Sequence, residues 1–205
     1  MSHGSGKGRR SIRLKDYDYS QPGAYFITIC TKDRMCLFGK DLDGELRINN
    51  YGKIVLGFWN DLDHLYSNVR TDAFVVMPNH VHGIIMIEES VGAIHELPLQ
   101  NRNDKMKRRQ MLIPKMVGRF KMKSSKRINA VRDTPNMSVW QRNYHEHIIR
   151  DEGSLKRIRE YIKNNPLTWN LDRENIDREG EDEFDAWFEN NFKKINPRFL
   201  INADS

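Results

Sequence analysis

Two histidines, His80 and His82, stand one residue apart inside the apolar run "FVVMPNHVHGIIMI", residues 74–87. On a strand, residues i and i+2 project from the same face, so both imidazoles would emerge together while Val81 points the other way. Imidazole ligates divalent cations, and two rings on one strand supply part of a coordination shell. Alone, the pair fits a metal site and two half-exposed rings at the mouth of a sheet equally well. Its place beside Pro78-Asn79, a turn where a substrate could arrive, favours the site.

A second set lies in "REYIKNNP". Tyr161 and Asn165 are four apart, hence on one face of a helix. Leu155, Ile158 and Ile162 mark the buried stripe and put Tyr161 beside it. A lone tyrosine there is more often a packed ring with a wet hydroxyl. As a nucleophile, a phenol with an ordinary pKa near ~10 needs a base or cation close by. A metal held by the histidines would polarise a phosphodiester and stabilise the leaving 3′ oxygen. Asn165 would then offer its amide oxygen as third ligand.

The elements that must position these residues follow from pattern. "GAYFITICT" (23–31) is β-branched and aromatic after Pro22-Gly23, a strand signal. Asp43-Gly44 between short apolar runs predicts a hairpin. Ile54, Val55, Phe58, Trp59, Leu62 and Leu65 at 3–4 spacing predict a helix over 49–66, capped by Asn49 or Asn50. "VRTDAFVVMP" and "HVHGIIMI" read as two strands joined by a tight turn. Residues 88–111 read as a loop, and 113–131 as a helix starting at Pro114 with its lysines outward. Residues 139–150 alternate as a strand, and a last helix begins near Ser154, its candidate N-cap, and ends at Pro166. The order β-α-β-β-α-β plus a helix is the ferredoxin-like split βαβ arrangement, an α+β antiparallel sheet with helices on one face.

Charge points to a partner. The 205 residues carry a net charge of +6, but residues 102–132 hold twelve Lys and Arg against Asp104 alone before Asp133. Such a block suits a polyanion, nucleic acid first, or else a solvated helix face. Its contact candidates are Arg108, Arg109, Lys115, Arg119, Lys121, Lys123, Lys126 and Arg127. Arg9, Arg10, Arg13 and Lys15 form an N-terminal arm, and Trp140, Tyr144 and Tyr17 to Tyr19 could stack on unpaired bases. A second histidine pair, His145 and His147, reads as a feature of the sheet near the active face. The mean hydropathy of -0.74, without an apolar run of about 18–20 residues or a signal-like start, leads to the expectation of a cytoplasmic chain without a membrane span. Cys30 and Cys36 are then expected as reduced thiols.

Taken in order, "MPNHVHGII", "WQRNYHEHIIRDE" and "EYIKNNPLTW", with the opening block from Arg9 to Gly39, resemble the REP-associated tyrosine transposases. These belong to the single-tyrosine HUH nucleases, and the resemblance runs from about Arg9 to Trp169. It implies a ferredoxin-like nuclease domain over 23–169, behind a basic arm at 1–22 and before an acidic tail at 170–205 onto which it carries no role. It further implies cleavage and rejoining of single-stranded DNA at REP-type hairpins by a monomer, with Tyr161 forming a 5′-phosphotyrosine link and freeing a 3′ hydroxyl. His80, His82 and Asn165 would hold Mg²⁺ or Mn²⁺. Two rivals stand beside it. One is a domesticated hairpin-binding protein that no longer cuts. The other is a histidine-triad nucleotide hydrolase, which wants a further histidine at position 84, where this chain has Ile84.

Overall fold

In the computed structural model, residues 17–42, 44–89 and 111–192 are described. Four strands form one antiparallel sheet: β1 (Gly23–Cys30), β4 (Val69–Val76), β5 (His80–Ile87) and β6 (His145–Ile149), in spatial order β4-β5-β1-β6. A separate hairpin, β2 (Gly39–Leu42) and β3 (Glu45–Ile48), turns at Gly44 with φ 82°, a backbone that glycine adopts without strain. Leaving that hairpin aside, the sheet is the split βαβ arrangement, each crossover helix linking strands separated by one neighbour.

The period-2 pattern of β1 and β5 sorts two cores. Tyr25, Ile27, Ile29, Val81 and Ile85 face one side, where they meet Val55 and Trp59 of α1 (Asn50–Asn60) and Met116, Phe120 and Ile128 of α3 (Leu112–Val131). Ala24, Phe26 and Ile84 face the other, under Leu155, Ile158 and Ile162 of α4 (Glu152–Asn164) and Phe184 and Phe188 of α5 (Glu183–Phe192). His80 and His82 belong to this second face by register, since both lie an even number of residues from Ile84. The crossover helices thus share one face, and the tyrosine helix takes the opposite one.

Local chemistry sets the ends. Asn49 caps α1 by accepting from the Tyr51 and Gly52 amides. The helix expected over 49–66 breaks at Asp61, and Leu62–Leu65 forms a short α2. Asp151, not Ser154, caps α4: its carboxylate accepts from the Ser154 amide at 2.8 Å and the Ser154 hydroxyl at 2.7 Å. The carboxylate at a helix N-terminus gains from the dipole as well. Pro166 ends α4 as expected and starts a 3₁₀ segment, Asn165–Leu171. The strand expected from 139 is shorter: only a single bridge, Thr31 with Trp140, precedes β6.

The segment after Asn170 folds onto the sheet. Asp172, Glu174, Asn175 and Asp185 are buried there, and Phe184 and Phe188 carry this acidic stretch onto the second core. Both cysteines are free thiols, and no described helix is long and apolar enough to cross a membrane.

Candidate active site

β5 delivers both rings. His80 is fully buried and His82 2% exposed, and their Nε2 atoms converge to 2.9 Å. Each Nδ1 is anchored outside that meeting point, His80 to Asn79 Oδ1 at 2.8 Å and His82 to Thr28 Oγ1 at 2.8 Å. Thr28 is available because β1 pairs it directly opposite His82. Phe26 stacks on the His82 ring from the same strand face.

The helix α4 brings Tyr161 over this pair. Its hydroxyl lies 3.2 Å from His82 Nε2 and 3.4 Å from Asp172 Oδ2, to which it donates. Asn165 also reaches the cluster, donating from Nδ2 to Asp172 Oδ2 at 2.7 Å. The carboxylate of Asp172 is therefore the hub. It stands 3.7 Å from His80 Nε2 and 3.9 Å from His82 Nε2, and its other oxygen accepts from the Glu174 amide at 2.7 Å.

One ligand atom each from His80, His82 and Asp172 lies within 4.8 Å of the others, and two imidazoles with one carboxylate suit a divalent first-row cation. Two donors on a cation at about 2.1 Å, a right angle apart, are about 3 Å from each other, which matches the Nε2 separation. Asn165 Oδ1 is buried with no hydrogen-bond partner, an orphan acceptor that a cation would satisfy. The residues fit a divalent metal. Asp172 is the candidate ligand that sequence reasoning missed, since the 3₁₀ segment breaks the helical spacing that would have tied it to Tyr161.

Burial sets the proton inventory. His80 is held down to about 4 by burial, with His82 working in the same direction against the opposing pull of Asp172, so its ring is neutral near pH 7. Burial also opposes ionisation of Asp172, yet the facing His80 and His82 and the Asn165 amide hold its carboxyl below the usual range. The Tyr161 phenol is pushed well above its ordinary value, first by burial and then by Asp172. As it stands Tyr161 is a protonated phenol, 7% exposed, with Phe184 stacked on it at 3.7 Å between ring centroids.

The second tier holds the C-terminal segment in place. Glu174 pairs with Arg34 at 3.0 Å and Arg173 at 3.5 Å, and accepts from the Cys30 thiol at 3.3 Å. His145 and His147 line the cleft beside Tyr161 with Arg173 and Asp185, outside the group formed by His80, His82 and Asp172.

The basic helix is partly structural. Lys115, Arg119, Lys123, Lys126 and Arg127 are exposed on α3. Lys121 is half-buried, and its ammonium donates to the carbonyls of Gln141, Arg142 and Asn143, which ties the following loop to the helix. Trp140 is a correction to the stacking expectation. It is 4% exposed, packs on Phe38 and Phe120, and donates its indole N–H to Ser124 Oγ at 3.0 Å. Tyr19 and Tyr144 are buried likewise. Arg9, Arg10, Arg13, Lys15, Arg108 and Arg109 lie outside the described residues.

The fold and site define a split-βαβ protein with a paired-histidine, carboxylate and tyrosine cluster. No protein-family model matches the chain. It is 44% identical over 171 residues to an uncharacterised protein of Haemophilus influenzae, covering 82% of this chain and 94% of that one. It is 25% identical over 151 residues to a second protein of that organism, provisionally named a REP-associated tyrosine transposase, covering 73% of each. The chain belongs to the family of the first protein and is a relative of the REP-associated tyrosine transposases through the second. Two solved structures are more distant. A REP-associated tyrosine transposase bound to a REP hairpin has 17% identity and a TM-score of 0.45, with 76% of this chain and 72% of that one covered. A Deinococcus radiodurans protein provisionally named a transposase has 18% identity and a TM-score of 0.42, with 74% and 97% covered.

Proposed function

We propose that this chain is a metal-dependent single-tyrosine nuclease and strand transferase acting on single-stranded hairpin DNA of the REP type. The observation that carries the reading is the cluster itself: one phenol within hydrogen-bond reach of His82 and Asp172, beside a second histidine that points at the same spot. One relative, 25% identical, is provisionally named a REP-associated tyrosine transposase, and the exposed cations of α3 would supply phosphate contacts.

His80, His82 and Asp172 would hold a Mg²⁺ or Mn²⁺ ion, with the orphaned Asn165 Oδ1 as a further oxygen donor. The chemistry such an ion would supply is Lewis-acid polarisation of the scissile phosphodiester and neutralisation of the charge on the 3′ oxygen. The chain's own residues do the rest. Tyr161 Oη attacks phosphorus as the bond to the 3′ oxygen breaks, leaving a 5′-phosphotyrosine and a 3′ hydroxyl. The phenolic proton goes to Asp172 Oδ2, to which Oη already donates, and the departing 3′ oxygen takes its proton from water. Phe26 and Phe184 hold the phenol ring. Rejoining reverses these roles with an incoming 3′ hydroxyl. The protein is read as a cytoplasmic monomer with a basic N-terminal arm and a catalytic domain that starts near residue 23 and takes in the acidic segment, since Asp172 and Phe184 belong to the site.

The burial of Tyr161 under Phe184 favours a second reading, a hairpin-binding protein that no longer cuts. One assay separates the two: incubation with labelled hairpins from the gene's flanking repeats, in Mn²⁺ or Mg²⁺, scored for a covalent protein–DNA adduct. The nuclease reading expects an adduct that Tyr161→Phe abolishes while hairpin binding survives, and that His80→Ala or His82→Ala loses. Binding without any adduct supports the second reading, and an undiminished adduct in Tyr161→Phe rejects Tyr161 as nucleophile.

A further inference from the structure

Asn79 is fully buried beside His80, and its orientation fixes a proton. Its Nδ2 lies 2.7 Å from the carbonyl oxygen of Glu174 and 3.3 Å from that of Arg34. Carbonyl oxygens only accept, so the amide nitrogen must face them and Oδ1 must face His80 Nδ1, at 2.8 Å. That oxygen accepts too. Nδ1 of His80 therefore carries the hydrogen, and a neutral His80 presents the lone pair of Nε2 to the site.

His82 has a partner of another kind. Thr28 Oγ1, 2.8 Å from His82 Nδ1, is a hydroxyl and can donate or accept. Across the site, the two Nε2 atoms are 2.9 Å apart, and two lone pairs cannot face each other at that distance. With no cation between neutral rings, His82 Nε2 must carry a hydrogen donated to His80, and its Nδ1 accepts from Thr28. With a cation between them, both Nε2 atoms must be bare.

We propose that Asn79 and Thr28 are positioning residues with opposite duties: Asn79 locks His80 as the Nδ1–H tautomer, and Thr28 lets His82 change tautomer without moving its ring. The inference rests on reading the two histidines as cation ligands. In the change, the N–H bond at His82 Nε2 breaks and one forms at Nδ1, the proton passing through water. Thr28 Oγ1 turns from donor to acceptor, its own hydrogen swinging off the ring. The charge on the His82 ring does not change. One histidine is thus prepared for the ion in advance, and the other can share a proton with its neighbour until the ion arrives. Second-shell partners of this kind fix ring orientation and tautomer.

The test is nitrogen-15 NMR of the histidine rings in the full chain at mildly alkaline pH, without metal and then with Zn²⁺, a diamagnetic probe. The expected result is His80 protonated at Nδ1 throughout, against the Nε2–H preference of a free histidine side chain, and His82 protonated at Nε2 until Zn²⁺ moves that hydrogen to Nδ1. His80 found as Nε2–H in the metal-free protein overturns the lock. A His82 tautomer unchanged at saturating Zn²⁺ overturns the exchange. No calorimetric binding of Zn²⁺ or Mn²⁺ overturns the metal-centre reading and the exchange with it, while the His80 result is read without metal and stands or falls alone. Thr28→Val, close to isosteric, is expected to weaken Mn²⁺ about 10–100-fold with the KM for hairpin DNA unchanged and kcat recovered at saturating Mn²⁺. Thr28→Ser is expected to restore affinity, and a Val variant that binds Mn²⁺ as the wild type does rejects the role of Thr28.

Discussion

Replacing Asp185 by Asn should stabilise the protein, and only above a definite pH. Asp185 sits on α5 in the cleft beside Tyr161, 8% exposed, with neither carboxylate oxygen hydrogen-bonded. Arg173 comes no closer than 3.9 Å. Burial pushes the carboxyl from 3.8 up to about 7, more than Arg173 pulls it down. A group whose pKa is raised on folding contributes fully below its unfolded value, and that contribution is lost as pH rises through the folded value. About three units at roughly 1.4 kcal/mol each amount to about 4 kcal/mol over the whole window. Between pH 5 and pH 8 the part still to be lost is about 2–3 kcal/mol. Asn cannot titrate, so urea unfolding of Asp185→Asn and wild type at the two pH values should show the variant gaining that much on the wild type as pH rises. If Arg173–Asp185 were instead a net-favourable ion pair, the variant would be less stable at pH 8. That result, or a difference independent of pH, would refute the reasoning.

Three further outcomes are expected. A methyl group on Gly83 would lie 2.3 and 2.6 Å from the Trp59 ring and 2.8 Å from Phe74, and those rings are stacked 4.3 Å apart. Gly83→Ala should therefore cost about 1–3 kcal/mol, or roughly 4–10 °C in melting temperature, and an unshifted melt would show that the packing relaxes freely. Changing Lys123, Lys126 and Arg127 together to Gln should reduce the slope of log affinity against log salt for hairpin DNA by about 2–3, if each meets a phosphate; an unchanged slope takes this face of α3 out of the interface. Arg159 grips Asp72 of the β4 bulge through Nε and Nη2. Both side chains are partly exposed, so a double-mutant cycle should give a coupling of only about 0.5–1 kcal/mol, and zero coupling would show that this ion pair adds nothing to the hold of α4 on β4.

Much of this arrangement was legible because it rests on period. Alternation in "GAYFITIC" and "HVHGIIMI" assigned both faces of the sheet, and i, i+3, i+4 spacing placed α1, α3 and α4. The pairing of His80 with His82 follows from the strand period and that of Tyr161 with Asn165 from the helical one, whereas the meeting of the two sets is an expectation that the family resemblance carries. Where period says nothing, the reading slipped. Trp140 looks available for stacking until Phe38, Phe120 and Ser124 are seen around it. Lys121 is one basic residue among many in the sequence, and only the loop carbonyls at 141–143 single it out. At α4, Ser154 is a good cap by type, but Asp151 offers the carboxylate that Ser154 itself binds.

The acidic segment is the instructive failure. Acidic composition usually signals a solvated surface, because burying a carboxylate is costly unless it is paired. The partners here are spread over the whole chain: Arg34 near β1 and the adjacent Arg173 for Glu174, and Asn165 and the two histidines of β5 for Asp172. No window of sequence contains them together, so no local pattern could have separated this stretch from a tail. Yet two cues point to it once the histidines are taken as ligands. Two imidazoles leave a divalent cation without anionic charge from the protein, and the Tyr161 helix supplies Asn165 but no carboxylate at i+4. A carboxylate shortly beyond that helix was therefore worth seeking, and Asp172 is the first acidic residue after it.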